Sequence, residues 1–94
     1  MNVVYNCDCM EYMKDIEDKC FDLTLTDPPY NVGLDYNSYN DNKDDYYEWC
    51  DIWFKELLRI SDTVVFTPGF NNIKHWIKKD YKEIIIWIKK KFLY

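Results

Sequence analysis

The sequence predicts an α/β fold in which flanking helices cover an open, mostly parallel sheet. Two observations support this class: segments typical of strands and of helices alternate along the chain, and two of the strand-like runs end abruptly at proline. A strand, a helix and a second strand in this order predict a right-handed parallel crossover. The 94 residues suffice for one small domain, and no linker or internal repeat divides them.

The first predicted elements are a short strand over residues 3–5 and a helix that begins after Asp8. Asp8 and Glu11 have the spacing of a capping box, and methionine and isoleucine side chains then recur at helical spacing at Met10, Met13 and Ile16. A second strand is predicted within residues 21–26, where positions 23–26 are apolar or β-branched. We expect this strand to be buried.

The rest of the chain continues the alternation. Residues 31–45 are polar and aperiodic, which is typical of a long binding loop or of a solvated one. Residues 45–60 then predict an amphipathic helix whose apolar stripe covers a sheet face; it contains Tyr46, Trp49, Cys50, Trp53, Phe54, Leu57 and Leu58. Three further elements complete the prediction. They are a strand over 63–67, a short helix and a buried strand over 84–88. The short helix is capped by Asn71 or Asn72 and carries Ile73, Trp76 and Ile77.

The charge of the chain is unevenly distributed. The net charge is −5, with 15 acidic and 5 basic residues in positions 1–62 but 7 lysines and 2 acidic residues in positions 63–94. An acidic protein is poorly suited to contact phosphate. Any contact with nucleic-acid phosphate is therefore expected from the C-terminal third.

Four cysteines, Cys7, Cys9, Cys20 and Cys50, lack the paired spacing of a zinc site, and the single histidine, His75, lies far along the chain. We therefore expect no metal, and reduced thiols that are mostly buried. The sequence has neither an export signal nor an apolar run long enough to span a membrane. A cytoplasmic protein without a membrane partner is expected.

The turn that follows the second strand, Asp27-Pro28-Pro29-Tyr30, has the composition of a rigid set of acceptors. Each proline fixes its own φ, removes a backbone donor and holds the preceding residue extended. The Asp27 carboxylate and the Pro28 carbonyl could thus accept both N–H groups of an exocyclic amine, and the Tyr30 ring could stack on an extruded base, a contact of roughly 1–3 kcal/mol. The alternative is a plain chain reversal.

Residues 27–30 resemble the catalytic motif of the DNA amino-methyltransferases, which transfer a methyl group from S-adenosylmethionine to adenine N6 or cytosine N4. Residues 6–11 are similar to the Gly-Asp-Cys-type turn of that family, and residues 22–33 to the run through its catalytic turn. Trp49, Trp53 and residues 56–60 resemble the helix that follows, and residues 84–89 resemble its strand with Ile-Trp-x-Lys. The resemblance covers nearly the whole chain.

The resemblance implies a partial Rossmann-like methyltransferase fold, S-adenosylmethionine as cofactor, and DNA with a flipped base as substrate, with adenine favoured over cytosine. It assigns the catalytic role to Asp27, Pro28, Pro29 and Tyr30, and cofactor contacts to Asp8 and Asp27. For Asp8, a plain helix cap explains the same residue, and both roles could hold at once because a carboxylate has two oxygens. Both acids are predicted to follow strands, and ligands of open α/β sheets bind beyond the carboxyl ends of strands.

The resemblance implies that the polar loop of residues 31–45 borders the target base. Tyr36 and Tyr39 could wedge or stack there, whereas Asp35, Asp41, Asp44 and Asp45 would repel phosphate. A functional lid and a solvated loop remain equally compatible with this composition.

The sequence departs from the family in one respect. It has only two glycines, Gly33 and Gly69, and no Phe-x-Gly-x-Gly turn for the methionine end of the cofactor. A catalytic turn so near Met1 resembles the permuted subclass, in which the glycine turn follows later. We therefore expect one partial catalytic domain over residues 1–94, the amino-terminal part of a truncated or split enzyme that a second polypeptide completes. The alternative is an inactive remnant that serves as a binding module.

Overall fold

The computed structural model of the chain describes residues 2–33, 35–36, 39–40 and 43–86, with the backbone alone described at 35–36 and 39–40. The elements in chain order are α1 (Cys9–Met13), β1 (Phe21–Thr26), β2 (Asp35–Tyr36), β3 (Tyr39–Asn40), α2 (Tyr46–Ile60), β4 (Ser61–Phe66), a 3₁₀ turn (Phe70–Asn72) and α3 (Ile73–Trp76). Strands β2 and β3 pair antiparallel within the predicted loop.

Strands β1 and β4 form a parallel pair connected through α2. Leu23 lies opposite Thr63 and Leu25 lies opposite Val65, and the register holds to the last residue of both strands. Parallel strands require a crossover connection, which α2 provides. The predicted α/β class, with helices flanking an open parallel sheet, is confirmed.

The hydrophobic core lies between α2 and one face of this sheet. The predicted stripe on α2 is buried, and Met13 of α1 and Trp76 of α3 complete the cluster. Trp53 is central: its ring centroid lies 5.6 Å from that of Trp76 and 5.9 Å from that of Phe66. Leu58, which the sequence placed in the stripe, is 47% exposed.

Arg59, near the end of α2, holds the segment after α1 in place. Its guanidinium donates to the carbonyl oxygens of Met13 and Ile16 at 2.8 and 2.7 Å, and to the Asp18 carboxylate at 2.9 Å. A guanidinium presents several donors in a fixed plane, so one side chain can satisfy several acceptors of a loop. The segment that connects α1 to β1 is thus bound to α2 through the hydrogen bonds of Arg59.

Two predicted strands are absent from the described residues of their segments. Residues 3–5 and 84–86 have no regular secondary structure, and their apolar side chains are exposed, from 53% at Val3 to 95% at Val4. An extended apolar run becomes a strand only when a neighbouring strand satisfies its backbone groups. The described part of the sheet offers no such neighbour; residues 87 and 88 lie outside the described residues.

The prediction that β1 is buried is also wrong. Leu23 is 55% exposed and Leu25 is 73% exposed, because α2 covers only the opposite face of the sheet. Phe21 and Val65 are exposed as well, at 37% and 38%. Parallel sheets are normally covered on both faces. We call these four side chains, Phe21, Leu23, Leu25 and Val65, the uncovered face.

Three local predictions have different outcomes. Asp8 does cap α1, since its Oδ1 accepts from the Met10 N–H at 2.8 Å. Glu11 does not complete a capping box, because its carboxylate pairs with Lys14 instead. The cysteines are unpaired, but only Cys50 is buried, so the expectation of mostly buried thiols is wrong. No helix among the described residues is both long and apolar enough to cross a bilayer.

Replacing Trp53 tests whether α2 carries the core. We expect Trp53→Ala to lower the free energy of unfolding by about 3–5 kcal/mol, because the change opens a cavity among Phe66, Trp76 and α2. Trp53→Phe keeps most of the ring contacts and should cost clearly less. Urea denaturation followed by circular dichroism measures both, and equal losses would contradict the central role of the Trp53 contacts.

Candidate active site

The turn of residues 27–30 lies beside the segment that follows β4. Both segments leave the sheet at the carboxyl ends of paired parallel strands, so they emerge at the same edge. The Thr67 N–H donates to the Thr26 carbonyl at 3.3 Å and continues the pairing by one step. Asp27 and Thr67, 40 positions apart in the chain, thereby become neighbours.

The exposed Asp27 carboxylate has two hydroxyl donors on one of its oxygens. The Thr67 hydroxyl and the Tyr30 phenol both donate to Asp27 Oδ1, and Tyr30 Oη lies 2.8 Å from Thr67 Oγ1. These hydrogen bonds, that of Thr67 first and that of Tyr30 second, hold the pKa of Asp27 below its ordinary value because they favour the ionised form. Asp27 is thus an acceptor at neutral pH.

The buried side chains of Asn72 and Tyr46 hold the turn of residues 27–30 in place through hydrogen bonds. Asn72, 4% exposed, donates through Nδ2 to the Tyr30 carbonyl and to the Pro68 carbonyl, each at 2.9 Å. The Tyr46 hydroxyl of α2 donates to the Pro29 carbonyl. Asn72 Oδ1 in turn accepts from the Tyr47 hydroxyl at 3.0 Å. Asn72 therefore joins the loops that follow β1 and β4, instead of capping α3 with its side chain as the sequence predicted.

These contacts leave open both of the acceptors that the sequence predicted, one in Asp27 and one in Pro28. The carbonyl oxygens of Pro29 and Tyr30 are occupied, whereas the Pro28 carbonyl and Asp27 Oδ2 accept no hydrogen bond from any described residue. A carboxylate oxygen and a main-chain carbonyl together can accept two N–H groups. The turn can thus bind a group with two N–H donors.

The Tyr30 ring packs closely against Gly69. Gly69 has φ of 80°, and a Cβ at this position would lie 2.8 Å from Tyr30 Cγ, closer than carbon atoms approach. A side chain at position 69 would therefore displace the ring and disturb its hydroxyl contact with Asp27. Gly69 also borders an apolar cavity of about 440 Å³, which Asp27 does not line; its wall includes Phe54, Phe66, Pro68, Phe70, Ile73 and Trp76.

The loop that follows the turn is closed at its base. Asn31, with φ of 62°, accepts from the Lys43 N–H at 2.6 Å and donates to the Lys43 carbonyl at 3.1 Å. The base of the predicted lid is therefore anchored beside the turn. The side chains of Tyr36 and Tyr39, and residue Asp41, lie outside the described residues, so their proposed contact with a base stays a prediction.

Asp8 is not brought to the same edge by a strand. It caps α1, and the strand predicted to precede it is absent. Its role in cofactor binding stays a prediction. His75 serves a structural contact: Nε2 lies 3.0 Å from Asp51 Oδ1, and the ring stacks on Tyr47 at 4.4 Å. Among residues 2–33 and 43–86, His, Cys, Asp and Glu side chains form no group of three that could hold a metal ion.

Sequence reasoning missed Thr67, Asn72 and Tyr46 as parts of this site. Thr67 had a usable signal, because it follows a strand predicted to lie parallel to the strand that ends at Asp27. Asn72 and Tyr46 had none, since their partners Tyr30 and Pro29 lie 42 and 17 positions away. Such contacts depend on packing and not on local pattern.

Removal of the Asn72 amide tests the support of the turn. We expect Asn72→Ala to lower the free energy of unfolding by about 1–3 kcal/mol, because two partly buried carbonyl groups and the Tyr47 hydroxyl lose a hydrogen bond from Asn72. The neighbouring Asn71 is exposed, and Asn71→Ala should change stability by less than about 0.5 kcal/mol. Chemical denaturation measures both. Equal effects at the two positions would show that the Asn72 contacts do not support the turn.

Comparison with known proteins gives a match to a family model and several relatives. A family model for N6 and N4 methyltransferases, described as DNA methylase, matches residues 21–94. The type II methyltransferase M.ScaI of Streptomyces caespitosus is 35% identical over 57 residues, which are 61% of this chain and 18% of the relative. M.MjaVI of Methanocaldococcus jannaschii is 33% identical over 76 residues, covering 76% of this chain and 39% of the relative.

A third relative, M.BamHI of Bacillus amyloliquefaciens, is 29% identical over 98 residues, which are 84% of this chain and 23% of the relative. The chain thus spans between 18% and 39% of the length of these three type II methyltransferases. No solved structure gives a significant match. Because the family model covers most of the sequence, including the turn of residues 27–30, the chain belongs to the N6/N4 DNA methylase family.

Proposed function

We propose that this chain supplies the base-activating part of an enzyme that methylates the exocyclic amino group of a DNA base, with adenine N6 favoured over cytosine N4. The observation that carries the proposal is the pair of open acceptors, Asp27 Oδ2 and the Pro28 carbonyl, on a turn whose Pro29 and Tyr30 carbonyl groups are occupied. The relatives' description as type II methyltransferases supports the same chemistry.

The two acceptors would act on the amine itself. The lone pair of an exocyclic amine is delocalised into the base and is a poor nucleophile. When the amine donates one N–H to Asp27 and one to Pro28, its nitrogen is drawn towards a tetrahedral geometry, and the lone pair is freed for attack. Asp27 is ionised at neutral pH as aspartates ordinarily are, and its lowered pKa favours the ionised form further, so that it accepts and does not donate. A base must be extruded to reach the turn, and Tyr30 is proposed to stack on it.

S-adenosylmethionine would supply the methyl group as an electrophile: the nitrogen–carbon bond would form as the sulfur–carbon bond breaks, the neutral thioether would leave, and the methylated amine would lose one proton to solvent. The described residues do not provide a complete site for it, because their two glycines, Gly33 and Gly69, do not form a Phe-x-Gly-x-Gly turn. We therefore propose that the cofactor is held largely by residues outside this part of the protein. Asp8 and Asp27 remain the proposed contacts from this chain.

The uncovered face supports a further polypeptide as partner. Leu23 and Leu25 are more than half exposed on a parallel sheet, a type of sheet that is normally covered on both faces. The relatives are several times longer than the matched region. We propose that additional polypeptide, in the same enzyme or in a separate subunit, covers this face and supplies the glycine-rich turn and the recognition of the DNA sequence.

A second candidate function is an interaction module without catalytic activity. The same uncovered face favours it, because exposed apolar patches mark binding surfaces. The two functions differ in whether the chain contributes to cofactor binding.

Isothermal titration calorimetry with S-adenosylmethionine distinguishes the two functions. We expect no heat of binding for the chain alone, because the described residues form no complete cofactor site, and clear binding when a polypeptide that carries a Phe-x-Gly-x-Gly turn of the family is added. The control is that polypeptide without the chain. Binding that is the same with and without the chain would favour the interaction module.

Asp27→Ala is expected to abolish methyl transfer in any form of the enzyme that is active, because the amine loses its charged acceptor. Tyr30→Phe should lower the rate by about tenfold or less, since the ring is retained and Thr67 still donates to Asp27. Asp22→Ala, at an exposed position of β1, is the matched control. Transfer of a labelled methyl group to DNA measures all three.

Full activity in Asp27→Ala would refute the proposed role of the carboxylate. A loss in Tyr30→Phe as complete as that in Asp27→Ala would show that the phenol hydroxyl, and not the ring, carries the function of Tyr30.

A further inference from the structure

Thr67 occupies a position fixed by the sheet. Its N–H donates to the Thr26 carbonyl, one step beyond the pairing of Thr26 with Phe66, so its side chain lies beside Asp27. No sequence motif discussed above contains Thr67. It lies on the segment that follows β4, and so its position relative to Asp27 depends on two strands that pair along their whole length.

The hydroxyl of Thr67 contacts the carboxylate directly. It donates to Asp27 Oδ1, the oxygen that also accepts from the Tyr30 phenol, and it lies within hydrogen-bond distance of that phenol. The three oxygen atoms form a triangle in which two hydroxyl protons converge on Oδ1. The other carboxylate oxygen, Oδ2, accepts no hydrogen bond from the described residues.

An aspartate carboxylate has a broad torsional preference about its last bond and exchanges its two oxygens easily. Both Asp27 and Thr67 are exposed, so burial does not restrain this rotation. Two donors on the same oxygen do restrain it. They also leave the opposite oxygen directed away from the hydroxyl pair, and this is the oxygen that the proposed chemistry requires.

We propose that Thr67 is a positioning residue that fixes the Asp27 carboxylate so that Oδ2, and not Oδ1, receives the N–H of the amine. This inference rests on the proposed function. The Thr67 hydroxyl acts through Asp27 and touches no reacting atom. It also favours the ionised carboxylate, and a protonated carboxyl would present a donor to an amine that needs an acceptor.

The test is a titration of the Asp27 carboxyl carbon by NMR in the full chain, in the unchanged protein and in Thr67→Val and Thr67→Ser. Valine has the shape of threonine without the hydroxyl, whereas serine keeps the hydroxyl. Because the hydrogen bond depresses the pKa of Asp27 in the folded state, we expect Thr67→Val to raise that pKa towards its ordinary value. Thr67→Ser should keep it depressed.

Thr63→Val is the matched control, because Thr63 is an exposed threonine of β4 and lies four positions from Thr67. It should leave the Asp27 titration unchanged. A pKa of Asp27 that does not rise in Thr67→Val, or that rises equally in Thr63→Val or in Thr67→Ser, would overturn the proposal. Circular dichroism confirms that each variant is folded as the parent is.

The second measurement is methyl transfer by an active form of the enzyme. Thr67→Val should lower kcat by about tenfold, the effect of one hydrogen bond, with KM for S-adenosylmethionine unchanged, and Thr67→Ser should restore it. An unchanged kcat in Thr67→Val would overturn the proposal. The titration needs no methyl transfer, so a failure of the Thr67 contact is distinguished from a failure of the proposed function, which Asp27→Ala tests.

Discussion

The parallel pairing of β1 with β4 is the constraint on which the candidate site depends. It places the two loops that follow these strands at one edge, and it brings Asp27 next to Thr67 and Tyr30 next to Gly69. The pair is held by α2, which packs a continuous apolar stripe on one face of the sheet. Two parallel strands alone have little stability, so the geometry of the site derives from the burial of α2.

The acceptors of the turn of residues 27–30 differ in whether they are already occupied by hydrogen bonds. Two prolines remove backbone donors that would otherwise compete within the turn, and donors from elsewhere, Tyr46 and Asn72, then occupy the carbonyls of Pro29 and Tyr30. Asn72 is buried and uses both its amide nitrogen and its oxygen. Buried networks whose members are all satisfied are rigid. The open acceptors, Asp27 Oδ2 and the Pro28 carbonyl, therefore belong to a turn that is held rigidly.

The elements that sequence predicts well are those whose signal is local. The stripe on α2, the cap at Asp8, the stiff turn and the strand–helix–strand order all follow from residues close in the chain, and the structure contains them. The strands predicted over 3–5 and 84–88 depended on partners, and the apolar runs of their described residues are exposed. The same distinction between local and long-range signals holds at the site. Proline and aspartate predict the turn from neighbouring residues, whereas the contacts of Thr67 and Asn72 depend on the register of distant segments.

The uncovered face and the candidate site share the same strand. Alternation along β1 directs Thr24 and Thr26 to the half-buried side, and Leu23 and Leu25 outwards. Full burial of a leucine contributes roughly 1.5–3 kcal/mol, and covering the exposed part of these two would contribute the corresponding share, which is still large for a small domain. A partner that covered this face would thus stabilise the strand whose end carries Asp27. Such a partner would therefore order the acceptors as well, because the strand that gained the burial also sets the position of the carboxylate.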